Sequence, residues 1–285
     1  MVTPIVVATM TGRSGSTWMM ELLGTSDVVV MEADYPHESL YLAYLLHLSR
    51  HVDQPLSPAF SVEDMVRGDP YRFGPPPFGG SAVDRADLGP RVTCHLWMAF
   101  AESLEASAAR RGSPRPRYWA EKFVVGAQRL ATAGVPVRMI RLLRDPRDVV
   151  TSVLAFDAKR GFYGFGRKPG QSEEEYVRWL VGRMAARLDE MSAAVPGIEA
   201  VTVRYEDMVS NIDSVAALLG EWLGITLDPA SLLPDAPPDH ATSPSAKESV
   251  GRWLGSLEPR YVSIVNRALA PMLARYGYEL EVTDG

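Results

Sequence analysis

The run Thr11-Gly12-Arg13-Ser14-Gly15-Ser16-Thr17-Trp18 carries the strongest chemical signal in the chain. Its two glycines let the backbone turn tightly and approach a ligand with no side chain in between. Ser14, Ser16 and Thr17 offer hydroxyl donors, and Arg13 offers a fixed cation. A helix is expected to follow from Ser16. Its first N–H groups lack partners inside the helix, and its dipole favours negative charge there. This combination suits a phosphate or sulfate group. The plainer reading is a turn whose Ser and Thr cap the helix, but capping needs one hydroxyl and leaves Arg13 and both glycines unexplained. The spacing matches neither GxxxxGK[ST] nor GxGxxG, which disfavours a Walker-type kinase and a dinucleotide enzyme.

A second basic corner lies at Leu142-Leu143-Arg144-Asp145-Pro146-Arg147-Asp148, where a buried strand is expected to become a helix. Pro146 can open that helix because its missing N–H has no helical partner to lose. Ser152 stands eight residues beyond Arg144, about two turns along. If the strands are parallel, Arg144 shares a sheet edge with the first corner, and Arg144 with Ser152 can hold a second phosphate a nucleoside away. A surface lattice of Arg and Asp around a helix start is the competing reading. Asp145 and Asp148 are expected to orient arginines or cap the helix rather than bind metal.

These corners need a sheet to place them. Strands are expected at the opening PIVVATM, at 27–31, at 118–123, at 137–143 and at 200–204. Helices are expected from Ser16 and at 38–48, 96–109, 127–133, 149–156, 173–194, 212–223 and 259–276. Strand and helix signals alternate, so the expected class is α/β: a three-layer, mostly parallel central sheet with a P-loop-like phosphate-binding turn. One domain over 1–285 is expected, with irregular insertions near 52–91, 158–171 and 229–247, and a short helix near 62–66.

Composition narrows the function. The formal net charge is −6, so no broad basic face is expected to bind nucleic acid. Four of the 29 basic residues are Lys and 25 are Arg, which suits bidentate anion recognition but equally follows from high-GC codon usage. Cys94 is the sole cysteine, so no intrachain disulfide can form. The sequence offers no signal peptide and no apolar run of the roughly 20 residues a membrane span requires, so a cytoplasmic protein with no membrane partner is the default expectation. No HExxH, CxxC or other ligand spacing suggests a metal.

With both corners described, the chain resembles the sulfotransferase family that uses 3'-phosphoadenosine-5'-phosphosulfate (PAPS), most closely its bacterial small-molecule branch. Arg13 to Trp18 match the family's [K/R]SG[T/S]TW loop, and Arg144 to Asp148 match its R-[N/D]-P-[K/R]-D signature with Ser152 at the usual offset. Tyr205-Glu206-Asp207-Met208 and Ser249-Val250-Gly251-Arg252-Trp253 supply two later landmarks, the last a loose match with fewer basic residues than other branches carry. The resemblance implies a sulfotransferase-type fold, PAPS as donor, PAP as product, no metal, and a hydroxyl of a small metabolite (natural product, phenol or sugar) as acceptor. A homodimer is a family expectation only.

By the same resemblance, Arg13, Ser14, Gly15, Ser16, Thr17 and Trp18 surround the 5'-phosphosulfate and the start of the adenosine. Arg144 and Ser152 hold the 3'-phosphate, Tyr205 lies near the adenine, and Gly251 and Arg252 close over the phosphate. Arg13 is expected to stabilise the leaving phosphate. Lys122 stands where some branches carry a lysine that assists the transferring group; a Glu121-Lys122 surface pair is the plainer reading. The base is open among Glu32, His37 and Glu38, with Glu32 and His37 ranked ahead, His240 and, more remotely, His95 as further candidates, and His47 and His51 read as helix-surface residues. Tyr35, Phe73, Phe78, Trp97, Phe162, Tyr163 and Phe165 are available as acceptor walls, and 161–166 as a lid. Three other readings stand beside this one: sulfonation that primes an elimination, a small-molecule P-loop kinase, and a catalytically silent nucleotide-binding protein.

Overall fold

A computed structural model describes residues 2–53, 85–122, 126–232 and 240–278. In chain order the described elements are β1 (Thr3–Ala8), α1 (Ser16–Gly24), β2 (Val29–Val30), α2 (Tyr41–Asp53) and α3 (Arg85–Arg111). Next come β3 (Tyr118–Lys122), α4 (Ala127–Thr132), β4 (Val137–Leu143), α5 (Pro146–Arg160) and α6 (Glu173–Ser192). Then follow β5 (Ile198–Arg204), α7 (Tyr205–Ser210), α8 (Ile212–Leu223), α9 (Trp253–Ser256) and α10 (Pro259–Arg275). The strands form one mostly parallel sheet, ordered β2-β3-β1-β4-β5, with helices flanking it. This is the expected α/β class. Two compact units divide the chain, and β1, β4 and β5 each contribute to both.

The first unit comprises Met1–Val6, Asp27–Met139 and Ala194–Ala200. Its core includes Ile5, Leu42, Leu46, Trp97 and Leu130, all essentially buried. The Trp97 indole N–H donates to the Val2 carbonyl oxygen at 3.2 Å, so the largest buried ring leaves no polar atom unpaired. Phe100 meets Trp119 and Tyr41 with centroids 5.1 and 5.2 Å apart, which seats α2 and α3 on β3. Register in the outer pair runs Val29 to Tyr118 and Val30 to Trp119, parallel.

The second unit comprises Val7–Ser26, Ile140–Ala193 and Val201–Gly285. Met19, Met20, Leu22 and Leu23 of α1 are buried, as their helical spacing requires. α6 opens with a capping box in which Ser172 and Glu175 exchange hydrogen bonds, then buries Tyr176, Val177, Leu180 and Met184. The mostly apolar β4 tolerates Arg141 because its Nε donates to the Met191 carbonyl oxygen at 2.6 Å.

Several expectations need correction. The helix expected at 38–48 starts at Tyr41 instead, because Leu40 takes φ 56° and the Glu121 carboxylate receives the Leu42 N–H. The insertion expected through 91 ends earlier: α3 begins at Arg85 and carries Pro90 within it. A proline so near a helix start forfeits one hydrogen bond, which the rest of a 27-residue helix outweighs. His95, the remoter candidate for the base, lies on an exposed face of α3 with Nδ1 against the Arg91 carbonyl oxygen. The Tyr205 landmark forms a short helix that the sequence pattern did not suggest. The helix expected at 62–66, together with Phe73, Phe78, Phe123 and most of the Pro-rich stretches, lies outside the described residues.

Candidate functional site: an anion corner and a buried ion pair

In the second unit the loop after β1 places Arg13 at φ 68° and Gly15 at φ 88°, so the chain reverses into α1 through two left-handed residues. Gly15 caps α1 without any side-chain hydrogen bond, which removes the capping explanation for the serines and threonine. Ser14 is fully buried, and its hydroxyl donates to the Thr11 carbonyl oxygen at 2.9 Å, bracing the loop from within. A Cβ at Gly15 would stand 2.3 Å from Tyr205 Cδ2. Only glycine lets that ring lie against the loop. Trp18 meets the same ring edge-on at 6.1 Å.

Arg144 ties both corners together. Its Nη1 donates to the Arg13 carbonyl oxygen at 3.0 Å and its Nη2 to the Ser249 carbonyl oxygen at 2.6 Å. The guanidinium lies 4.4 Å over the Tyr205 ring, whose hydroxyl meets that of Ser249 at 3.0 Å. Arg144 Nε is buried and has no hydrogen-bond partner. Leaving such a donor unsatisfied costs about 1–3 kcal/mol, more for a charged group, so this atom calls for an anionic acceptor. The corner's residues therefore fit a phosphate group.

The Arg13 side chain reaches the second corner as well. Its Nε donates to Ser152 Oγ at 3.3 Å, and one Nη donates to the His240 carbonyl oxygen at 2.8 Å. Thr242 completes this cluster with its hydroxyl 3.0 Å from Ser152 Oγ and its carbonyl oxygen bonded to Arg252. The His240 ring lies 6.0 Å from Phe156, over which Arg13 also stacks at 4.4 Å.

Asp145 caps the helix and orients an arginine as expected, whereas Asp148 does neither and bonds a distant backbone instead. Asp145 caps α5 through the Arg147 N–H and pairs with the Arg147 side chain at 2.7 Å. Arg147 in turn stacks 3.9 Å over Trp253. Asp148 accepts the backbone N–H groups of Gly251 at 2.7 Å and Trp253 at 2.9 Å, so it clasps the late loop. All four charged residues of this signature are buried, which rules out a surface lattice. Burial pushes the Asp148 carboxyl up to about 6, against the lowering pull of the Trp253 N–H, Arg144 and the Gly251 N–H. Thr242 and the clasp made by Asp148 were missed in the sequence. Asp148 had a signal, as the last letter of the second landmark; Thr242 had none.

In the first unit Glu121 and Lys122 are both buried rather than a surface pair. Lys122 Nζ pairs with Glu38 Oε1 at 3.1 Å. Glu121 accepts from the Leu42 N–H, from Ser39 Oγ at 3.2 Å and from the Trp119 indole at 3.1 Å. Burial raises its carboxyl above the usual value, with those donors opposing. Consecutive strand residues thus both hold the segment 38–42. Glu32 turns its carboxylate onto its own loop, accepting from the Ala33 and Asp34 N–H groups at 3.1 and 3.4 Å. His37 Nδ1 lies 2.9 Å from the Glu32 carbonyl oxygen. That oxygen can only accept, so in the neutral ring Nδ1 carries the hydrogen and Nε2 the lone pair.

Among the described residues no group of three or more His, Cys, Asp or Glu side chains stands together as a metal set. No described helix is long and apolar enough to cross a membrane.

An α/β sheet whose first strand opens into a glycine turn and an uncapped helix is a P-loop-like fold, a geometry that suits an anion at the helix start. A profile of the sulfotransferase family matches residues 4–229, and the chain belongs to that family. Carbohydrate sulfotransferase 3 of Mus musculus is 27% identical over 161 residues, covering 50% of this chain and 34% of that protein. The match thus spans about a third of the curated relative's length. The fold is shared with the sulfotransferase domain from the curacin biosynthetic pathway (TM-score 0.53, 14% identity, 98% of each chain). It is also shared with the sulfotransferase domain from the Synechococcus PCC 7002 olefin synthase (TM-score 0.52, 14% identity, 98% of this chain and 95% of that one).

Proposed function

We propose that this protein moves the sulfo group of PAPS to a hydroxyl of a small metabolite. The observation that carries this reading is the buried, unpartnered Nε of Arg144 on a guanidinium that also holds the Arg13 backbone. A 3'-phosphate supplies the acceptor that this atom lacks. Ser152 joins Arg144 in holding it, while Gly251 and Arg252 bound the same corner. The turn from Gly12 to Thr17 and the start of α1 receive the 5' anion, with Tyr205 and Trp18 beside the adenine.

The donor, when bound, presents a sulfo group on a phosphate leaving group. Arg13 and the α1 N-terminus stabilise negative charge as it grows on that phosphate. Lys122, a buried ammonium, takes the electrostatic role toward the transferring group. The acceptor proton goes to a base, and His37 suits the task better than Glu32. Its Nδ1 contact puts the lone pair of the neutral ring on Nε2, the atom that would take the proton, whereas the Glu32 carboxylate is engaged with its own backbone.

The test is direct. Purified protein is titrated with PAP by calorimetry, then incubated with sulfur-labelled PAPS and a panel of hydroxylated metabolites. Micromolar PAP binding with label transferred to an acceptor supports the reading. Absence of PAP binding overturns it.

A further inference from the structure

A cavity of about 260 Å³ opens in the second unit, lined by Thr11, Phe165, Gly166, Trp179, Leu180 and Arg183. Thr11 is two residues from Arg13, so the cavity adjoins the anion loop. Its aromatic walls are held in place. A Cβ at Gly12 would stand 2.5 Å from Phe165 Cε1, so the missing side chain lets that ring rest on the loop, with Phe156 6.0 Å behind it. Trp179 stacks on Tyr176 at 6.0 Å and 24° and lies against Gly166.

Arg183 stands one turn further along α6, 5.2 Å over the Trp179 ring. Its neighbours on the helix are neutralised: Arg178 pairs with Glu174, and Arg187 with Glu190. Among the described residues no carboxylate pairs with Arg183. A cavity below the roughly 300–1,000 Å³ of drug-sized sites limits the occupant to about one substituted ring.

Resting on the donor reading above, we propose that this cavity takes the acceptor, and that the acceptor is a single-ring hydroxylated aromatic compound bearing a carboxylate or similar anion. Phe165 and Trp179 take the ring, and Arg183 takes the anionic group. An anionic acceptor beside a polyanionic donor, on a chain of net charge −6, needs such a cation.

The experiment titrates the PAP-loaded protein with two matched probes, 4-hydroxybenzoate and its uncharged counterpart 4-hydroxybenzamide. The carboxylate should bind at least about fivefold tighter, equivalent to ~1 kcal/mol for an exposed ion pair. R183Q should erase that difference while keeping wild-type PAP affinity, and W179A should weaken both probes alike. Equal affinity for the two probes, or a preference that survives R183Q, overturns the inference. So does PAP binding without binding of either probe, which leaves the donor reading intact. If PAP itself fails to bind, the donor reading falls, and the same pair titrated against the unloaded protein still decides whether the cavity selects an anionic ring.

Discussion

Arg144 Nη1 donates to the Arg13 carbonyl oxygen at 3.0 Å, across 131 residues of chain. The cation of the second corner therefore shapes the backbone of the first, and the two corners are a single built unit.

Replacing Arg144 by Gln should weaken PAP binding by about 10- to 100-fold, matching the ~1.5–3 kcal/mol of a charged hydrogen bond. Calorimetry checks this. A variant with wild-type affinity would remove Arg144 from the donor site.

Gly15 and Gly134 both adopt left-handed backbone, at φ 88° and 79°, but only Gly15 has a ring where a Cβ would go. G134A should cost about 1 kcal/mol of stability from backbone strain alone. G15A should cost clearly more, on the order of 2–3 kcal/mol, because Tyr205 must also move. Thermal or urea unfolding of the pair measures the gap; equal losses would mean that Tyr205 yields freely.

Asp148 titrates at about 6 in the folded protein against 3.8 as its ordinary value. Between those values the folded state holds a proton that the unfolded state has released. Stability from this group therefore falls as pH rises from about 4 to about 6, opposite to the usual paired carboxylate. Relative to D148N, the wild type should lose on the order of 1–3 kcal/mol across that window. Urea unfolding of both proteins at pH 4.5 and 6.5 reads the difference, and parallel pH slopes would contradict the assignment.

Arg13→Ala should lower sulfo transfer by about 10²–10³ while the protein remains folded, as expected when a charge-stabilising donor is lost. H37Q should lower turnover by about 10²–10⁴, and E32Q by much less. Steady-state rates with one acceptor rank the three. The reverse order for His37 and Glu32 would move the base to the carboxylate.

Local chemistry was legible in the sequence; partnerships at long range were not. β4 runs over the expected residues, because an apolar strand ending in Arg-Asp-Pro specifies both its length and its stop. The loop between Thr11 and Trp18 was readable because glycine spacing and the uncapped helix act within a few residues. The start of α2 was not, since Glu121, 79 residues away, supplies the acceptor for the Leu42 N–H. Glu121 and Lys122 misled for the same reason. Adjacent opposite charges suggest a solvated pair, yet each side chain is buried and finds its partner in the segment 38–42.

The clasp made by Asp148 also bears on where this chain can be trimmed. The family match stops at residue 229, but the N–H groups that satisfy this carboxylate belong to Gly251 and Trp253, and one carbonyl that receives Arg144 belongs to Ser249. A shortened version ending at the match boundary would strand a buried acid and a buried guanidinium at once. Residues 249–253 thus form a wall of the corner that Arg144 and Asp148 build, not a dispensable appendage.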